Sequence, residues 1–101
     1  MKVIITESKR NHLAINWLED RYPELEKIKY PEYEQVFISY KGMFKMSYIN
    51  WKKTLYVKGD VWDSLCSMFA FDNDEVAKLL LDWGNKKFGF RAKWCFRVDN
   101  I

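Results

Sequence analysis

Glycine, proline, cysteine and histidine are scarce in this chain of 101 residues, and each shortage excludes a class of protein. Two cysteines and one histidine are fewer than the roughly four ligands that a structural zinc site needs. The four glycines stand apart from one another, so the chain lacks a clustered phosphate-binding loop. With only two prolines and no low-complexity stretch, the composition predicts one domain spanning residues 1–101, without a bound metal or cofactor.

Long hydrophobic runs are also missing. Runs such as residues 3–5 and 79–81 contain three apolar residues, and no run exceeds four, whereas a membrane-spanning helix needs about 18. The first run is too short for the core of a secretory signal. We therefore expect an intracellular protein without a membrane partner. A bridge between Cys66 and Cys95 is geometrically possible, but in this setting we favour a reduced, buried pair.

Hydrophobic periodicity, where it is present, predicts an α+β fold with the order β-α-β-β-β-α-α-β. An antiparallel meander and a C-terminal strand form the sheet, and about three helices cover one of its faces. The tight reversal at Lys41 and Gly42 joins the first two meander strands. The predicted elements are a strand at 3–5, a helix ending near 21, a loop over 23–31, meander strands at 35–41, 44–48 and 54–58, two helices after 59, and a strand after 89.

Two helix starts carry acidic pairs typical of capping boxes, Asp60 with Asp63 and Asp72 with Glu75. In the last strand, alternation predicts that one set of side chains faces the helices and the other faces solvent. The first set is Phe90, Ala92, Trp94, Phe96 and Val98, and the second is Arg91, Lys93, Cys95 and Arg97. Four tryptophans fit apolar stripes and are expected in the core, namely Trp17, Trp62, Trp83 and Trp94.

The positive charge is concentrated in two segments. Residues 35–59 contain five lysines and residues 86–98 contain five basic residues, and neither segment contains an acid. If these segments share a sheet, its open side becomes basic and carries the rings of Phe37 and Tyr56. Such a surface suits single-stranded nucleic acid, because cations meet phosphates while bases stack on aromatic rings. An acidic protein partner is a second possibility, and the ordinary polar face of a half-exposed sheet is a third.

Trp51 is the best single candidate for a contact residue, because it lies in a turn between two strands beside Lys52 and Lys53. A large ring in such a turn is buried only by folding back or by meeting a partner. The full set of predicted contact residues, for a protein partner or a nucleic acid, is Lys45, Trp51, Lys52, Lys53, Tyr56, Lys58, Arg91, Lys93 and Arg97.

We expect no catalytic site in this chain. The single histidine, His12, has only Asn16 and Glu19 near it on the first helix, which is typical of an exposed polar face. The corner between the two later helices has the spacing of a DNA-reading motif. Its second helix, however, would present Asp72 and other acids to the phosphates, which would repel them.

Several features together resemble a group of small proteins encoded by tailed bacteriophages. They are the opening Met-Lys-Val-Ile-Ile-Thr-Glu-Ser, the tryptophan-containing helix after it, the lysine-rich meander, and the helix at Val61-Trp62 that leads to a leucine-rich helix with Trp83. The resemblance implies a viral origin and an accessory or virion-associated role. Our leading hypothesis is a non-enzymatic module that binds a protein or self-assembles, and the alternative is a single-stranded nucleic-acid-binding domain.

Overall fold

A five-stranded mixed sheet is the centre of the fold in the computed structural model, which describes residues 7–101. The α+β class and the single helical layer are confirmed. The strand predicted at residues 3–5 lies outside the described residues. The elements are α1 (Glu7–Arg21), β1 (Glu26–Tyr30), a 3₁₀ turn (Pro31–Tyr33), β2 (Gln35–Tyr40), β3 (Met43–Ile49), β4 (Thr54–Lys58), α2 (Gly59–Phe69), α3 (Asn73–Phe88) and β5 (Trp94–Val98).

The strands lie in the order β1-β2-β3-β4-β5. The first four pair antiparallel, and β5 joins β4 in parallel after the chain has passed through α2 and α3. The hairpin between β2 and β3 turns at Lys41 and Gly42, whose φ angles of +50° and +80° suit a two-residue turn that follows the twist of the strands.

The loop predicted over residues 23–31 is wrong, because most of it forms the edge strand β1. Its sequence, Glu-Lys-Ile-Lys-Tyr, has little apolar character and therefore gives a weak strand signal. It pairs only with β2, and charged side chains on such an edge discourage pairing with other chains.

The core lies between one face of the sheet and the three helices. Two rows of the sheet face this layer, and they can be read across the strands from the register. One row is Lys27, Ile38, Met46, Val57 and Arg97, and the other is Lys29, Val36, Tyr48, Leu55 and Cys95. From the helices, the most deeply buried side chains are Ala14, Leu18, Leu65, Val76 and Leu80. No helix within residues 7–101 is long and apolar enough to cross a bilayer.

The helix starts differ from one another. At α3 the predicted capping box is confirmed, since the Asp72 side chain accepts from the Glu75 amide at 2.8 Å while the Glu75 side chain accepts from the Asp72 amide at 3.1 Å. At α2 the capping box of Asp60 and Asp63 is wrong. The N-cap is Lys58, and Asp60 is already inside the helix, where its carboxylate accepts from the amide of Val61.

Candidate interaction surface

The face of the sheet away from the helices is apolar and aromatic. We call it the open face, and its central row crosses all five strands as Ile28, Phe37, Ser47, Tyr56 and Phe96. The next row is Tyr30, Gln35, Ile49, Thr54 and Trp94. Beyond the central row on the other side lie Glu26, Ser39, Phe44, Lys58 and Val98.

Aromatic rings on the open face contact one another. Phe37 stacks on Phe44 at a centroid distance of 4.6 Å and meets the edge of Tyr30 at 5.4 Å. On the other half of the sheet, Tyr56 and Phe96 lie 6.3 Å apart. Between these groups, the Gln35 side chain donates to the hydroxyl of Ser47 at 2.9 Å, which satisfies the polar groups of the centre. The rings therefore form a nearly continuous platform.

The described chain covers this platform only in part, since Ser47 at its centre is buried whereas the rings at the β5 edge are exposed. Its centre holds a shallow groove of about 290 Å³, to which Asn100 and Ile101 of the C-terminal segment contribute lining atoms. Phe96 is 53% exposed, although a phenylalanine is usually buried. Glu26 and Lys58 are the only charged side chains in the three rows of the described strands. An antiparallel sheet commonly turns polar side chains to water, so this face departs from the usual pattern.

The predicted basic face is therefore wrong, and two irregularities in alternation explain it. The register of β2 and β3 shifts between Ile38 and Ser39, which places Lys45 on the helix side. Its ammonium is 2.6 Å from a carboxylate oxygen of Asp60. Burial alone would raise the pKa of Asp60, but the hydrogen bond and charge of Lys45 hold that pKa below its ordinary value.

The second irregularity lies at the start of β5. Ala92 and Cys95 are both buried although they are three residues apart, so the alternation changes phase between them. Trp94 and Phe96 consequently lie on the open face, and the prediction that they face the helices is wrong. Cys95 takes the buried position instead, and burial raises the pKa of its thiol to about 12.

Arg97 also moves to the helix side as a result of this phase change. Its guanidinium donates two hydrogen bonds to Asp63 at 2.9 and 2.8 Å and one to Asp99 at 2.6 Å. These bonds lower the pKa of Asp63 and raise that of Arg97. Arg97 and Lys45 are thus neutralised by acids of this chain and lie off the open face, contrary to prediction. Of the predicted contact residues, Tyr56 and Lys58 do occupy positions on it.

The remaining predicted contact residues come together at one end of the sheet. We call the basic end these five residues, Trp51, Lys52, Lys53, Arg91 and Lys93, together with Trp94, which was not among the predicted contact residues. The turn after β3 meets the start of β5 there, because the carbonyl of Lys53 accepts hydrogen bonds from the amides of Lys93 at 2.8 Å and Trp94 at 3.2 Å. Trp51 is 65% exposed and Trp94 is 60% exposed, so the core position predicted for Trp94 is wrong.

The other tryptophans face the core. Trp62 and Trp83 are buried, as predicted, and Trp17 is partly buried against the core. Trp83 donates through its indole nitrogen to Glu19 at 2.9 Å, and Lys87 pairs with the same carboxylate at 2.8 Å. These two hydrogen bonds lower the pKa of Glu19, and the bond from Lys87 has the larger effect.

The residues considered for catalysis and metal binding do not form a cluster. His12 is exposed, and the acid on its helix face, Glu19, is engaged by Trp83 and Lys87. Residues 7–101 contain no group of histidine, cysteine and acidic side chains that could hold a metal ion. Cys66 is half-buried, and both cysteines are free thiols.

Compared with protein families, with curated proteins and with solved structures, the chain has no significant match. The resemblance to tailed-phage proteins stays a prediction. We therefore infer function from the open face and the basic end.

Proposed function

We propose that this chain is a non-enzymatic assembly module that pairs with a second copy of itself through the open face. The observation that carries the proposal is the row of Ile28, Phe37, Ser47, Tyr56 and Phe96, which crosses the whole sheet without a charged side chain. Burying apolar surface contributes about 25 cal/mol per Å², so such a face is stabilised by a covering layer.

A second copy suits this face better than a charged partner does. The central row offers no ion-pairing group to an acidic protein or to phosphates. Two such sheets can pack about 10 Å apart with their strands roughly aligned. A two-fold axis along β3 would set Ile28 against Phe96 of the other copy and Phe37 against its Tyr56. The same operation brings Glu26 towards Lys58 of the other copy, so the two charges at the margin complement each other.

The size of the face sets the expected affinity. Five strands spaced about 4.8 Å apart and five residues long give a flat area of roughly 400 Å² per copy, without the additional area of side chains that project from the sheet. A standard stable interface buries about 800 Å² per partner. We therefore expect a reversible dimer with a micromolar dissociation constant. Assembly into a phage particle, where many copies meet at high local concentration, is the setting in which such a weak contact suffices.

Sedimentation equilibrium over a range of concentrations tests the proposal. The wild-type chain is expected to show a monomer–dimer equilibrium, and Phe96→Lys is expected to weaken it at least about tenfold, because an ammonium would be buried in the central row of the interface, against Ile28 of the other copy. The matched control is Tyr33→Lys, since Tyr33 is 68% exposed but lies in the 3₁₀ turn. A wild-type chain that stays monomeric at about 1 mM, or a Phe96→Lys variant that dimerises normally, contradicts the proposal.

A further inference from the structure

We infer that the basic end binds single-stranded nucleic acid, at a site separate from the centre of the open face. The inference does not depend on self-association. It rests on two exposed indole rings and four cationic side chains that are far apart in the sequence and are brought together by the pairing of β4 with β5.

The backbone beneath these side chains is held firmly. On one side, the hydrogen bonds to the Lys53 carbonyl join the turn to the start of β5. On the other, the side-chain amide of Asn85 in α3 donates to the carbonyl of Ala92 at 3.1 Å and accepts from its amide at 3.0 Å. Buried Phe90 and Ala92 flank exposed Arg91. The cations therefore project from a fixed frame, which reduces the entropy lost when a ligand binds.

The charges of the basic end are available to a ligand. Lys52, Lys53, Arg91 and Lys93 take part in none of the ion pairs formed within residues 7–101, whereas Lys45, Lys87 and Arg97 are each paired with an acid. Lys53 makes only a long contact, 3.4 Å, with the amide oxygen of Asn50. The backbone of Glu34 adjoins the turn, since its carbonyl accepts from the Asn50 amide at 2.9 Å. Four cations outside the ion pairs of the described residues leave a site for a polyanion.

The indoles point to single strands rather than duplexes. The ammonium of Lys52 lies 5.0 Å from the centroid of the Trp51 ring, so a cation and a flat aromatic surface are offered together. An unstacked base can lie on such a ring while its phosphate meets the lysine, whereas the bases of a duplex are already stacked on each other. The site thus combines the two contacts on which sequence-independent binding of single strands depends.

Fluorescence anisotropy with a labelled, mixed-sequence DNA of about 20 nucleotides tests this inference. The full chain is expected to bind it at about 20 mM salt and to lose affinity at about 200 mM, with log affinity falling by about 0.7 per phosphate contact for each unit of log salt. Lys52→Gln and Lys93→Gln are each expected to reduce that slope. Trp51→Ala is expected to weaken binding about fivefold or more without changing the slope.

Two matched control variants distinguish binding at this site from a general effect of net charge or of exposed aromatic rings. Lys86→Gln removes the same charge from an exposed position on α3, and Tyr33→Ala removes an exposed ring outside the sheet. Both should bind like the wild type. The inference is overturned if no oligonucleotide binds at low salt, if duplex binds as tightly as single strand, or if Lys86→Gln acts like Lys52→Gln. Binding to vesicles rich in anionic lipid without binding to DNA would assign the basic end to membranes and would also overturn it.

The result is independent of the proposed dimer. Phe96→Lys tests the dimer and should leave DNA affinity at the basic end no lower. Lys52→Gln tests the nucleic-acid site and should leave the monomer–dimer equilibrium unchanged. Failure of either proposal can therefore be recognised without the other.

Discussion

Lys45 shows how one residue can alter the interpretation of a whole surface. It lies in a lysine-rich segment, yet its side chain is only 11% exposed and its ammonium pairs with Asp60 at the start of α2. A buried ammonium must be paired, because removing it from water carries a large desolvation penalty. The ion pair therefore joins β3 to the first turn of α2 within the chain.

Replacing Asp60 tests that role. Asp60→Asn keeps an oxygen for the amide of Val61 but removes the charge opposite Lys45, so we expect unfolding to become easier by about 1–2 kcal/mol near pH 7. The value is below that of a fully buried pair because Asp60 is half-exposed. Urea unfolding of the two proteins measures the difference. Asp63→Asn, which breaks an exposed ion pair with Arg97, is the control and should change stability less.

The same pair predicts a pH dependence with a definite sign. The pKa of Asp60 in the folded chain lies below its ordinary value of 3.8, so its stabilising effect is fully present above that value. The effect is lost as the pH falls through the folded-state pKa. The difference in unfolding free energy between the wild type and Asp60→Asn should therefore be constant from about pH 7 to about pH 5 and shrink in stronger acid. A difference that grows on acidification would contradict this assignment.

At the scale of elements, α3 has stabilising contacts at both of its ends. Its capping box satisfies free amides at one end, and Gly89, with φ of +72°, ends it with an amide that donates to the carbonyl of Asn85. Near that end, Lys87 and Trp83 connect the helix to α1 through Glu19. Because α3 also carries Asn85, whose side chain holds Ala92 in the segment before β5, the position of α3 determines that of the basic end.

Removing the cap should weaken this helix measurably. Asp72→Ala is expected to lower the free energy of unfolding by about 1 kcal/mol, since it deprives the Glu75 amide of its acceptor. Asp74→Ala serves as the control. It removes an acid from the same first turn without removing the cap, so only the weaker interaction with the helix dipole is lost. Equal losses in urea unfolding for the two variants would show that charge alone, and not the capping box, stabilises this end.

Elements with strong local signals could be predicted from the sequence. Strand β4, the turn at Lys41 and Gly42, and the start of α3 combine clear periodicity with turn or cap residues, and the structure has them where they were expected. Strand β1 could not be found, because its sequence of charged and apolar residues is stabilised by pairing with β2 and not by local preference.

At the scale of the whole molecule, the prediction of which side chains lie on each face of the sheet is wrong for the last strand. Assigning the aromatic residues of the last strand to the core assumes that only one face of the sheet is apolar. Here both faces are, and the phase change between Ala92 and Cys95 decides which side Trp94 and Phe96 occupy. Such a change depends on how residues 89–93 pack against α3. This packing is a tertiary contact, and the hydrophobic periodicity of the sequence gives no information about it. The grouping of Trp51 with Lys93 depends on the same packing.

The whole molecule presents two candidate interaction surfaces, the open face and the basic end. We propose that the open face, whose central row is uncharged, binds a second copy and that the basic end, with its cations and indoles, binds a polyanion. The two surfaces border each other at Trp94, which ends one row of the open face and stands beside Lys93.

Photo-crosslinking from the central row of the open face tests the central claim most directly. A benzophenone amino acid replaces Phe96, which keeps an aromatic ring at that position, and isotopically labelled and unlabelled chains are mixed before irradiation. The account predicts a covalent dimer whose crosslinks join position 96 of one copy to strands β1 and β2 of the other. Crosslinks to the helices, or no covalent dimer at concentrations up to about 1 mM, would contradict it.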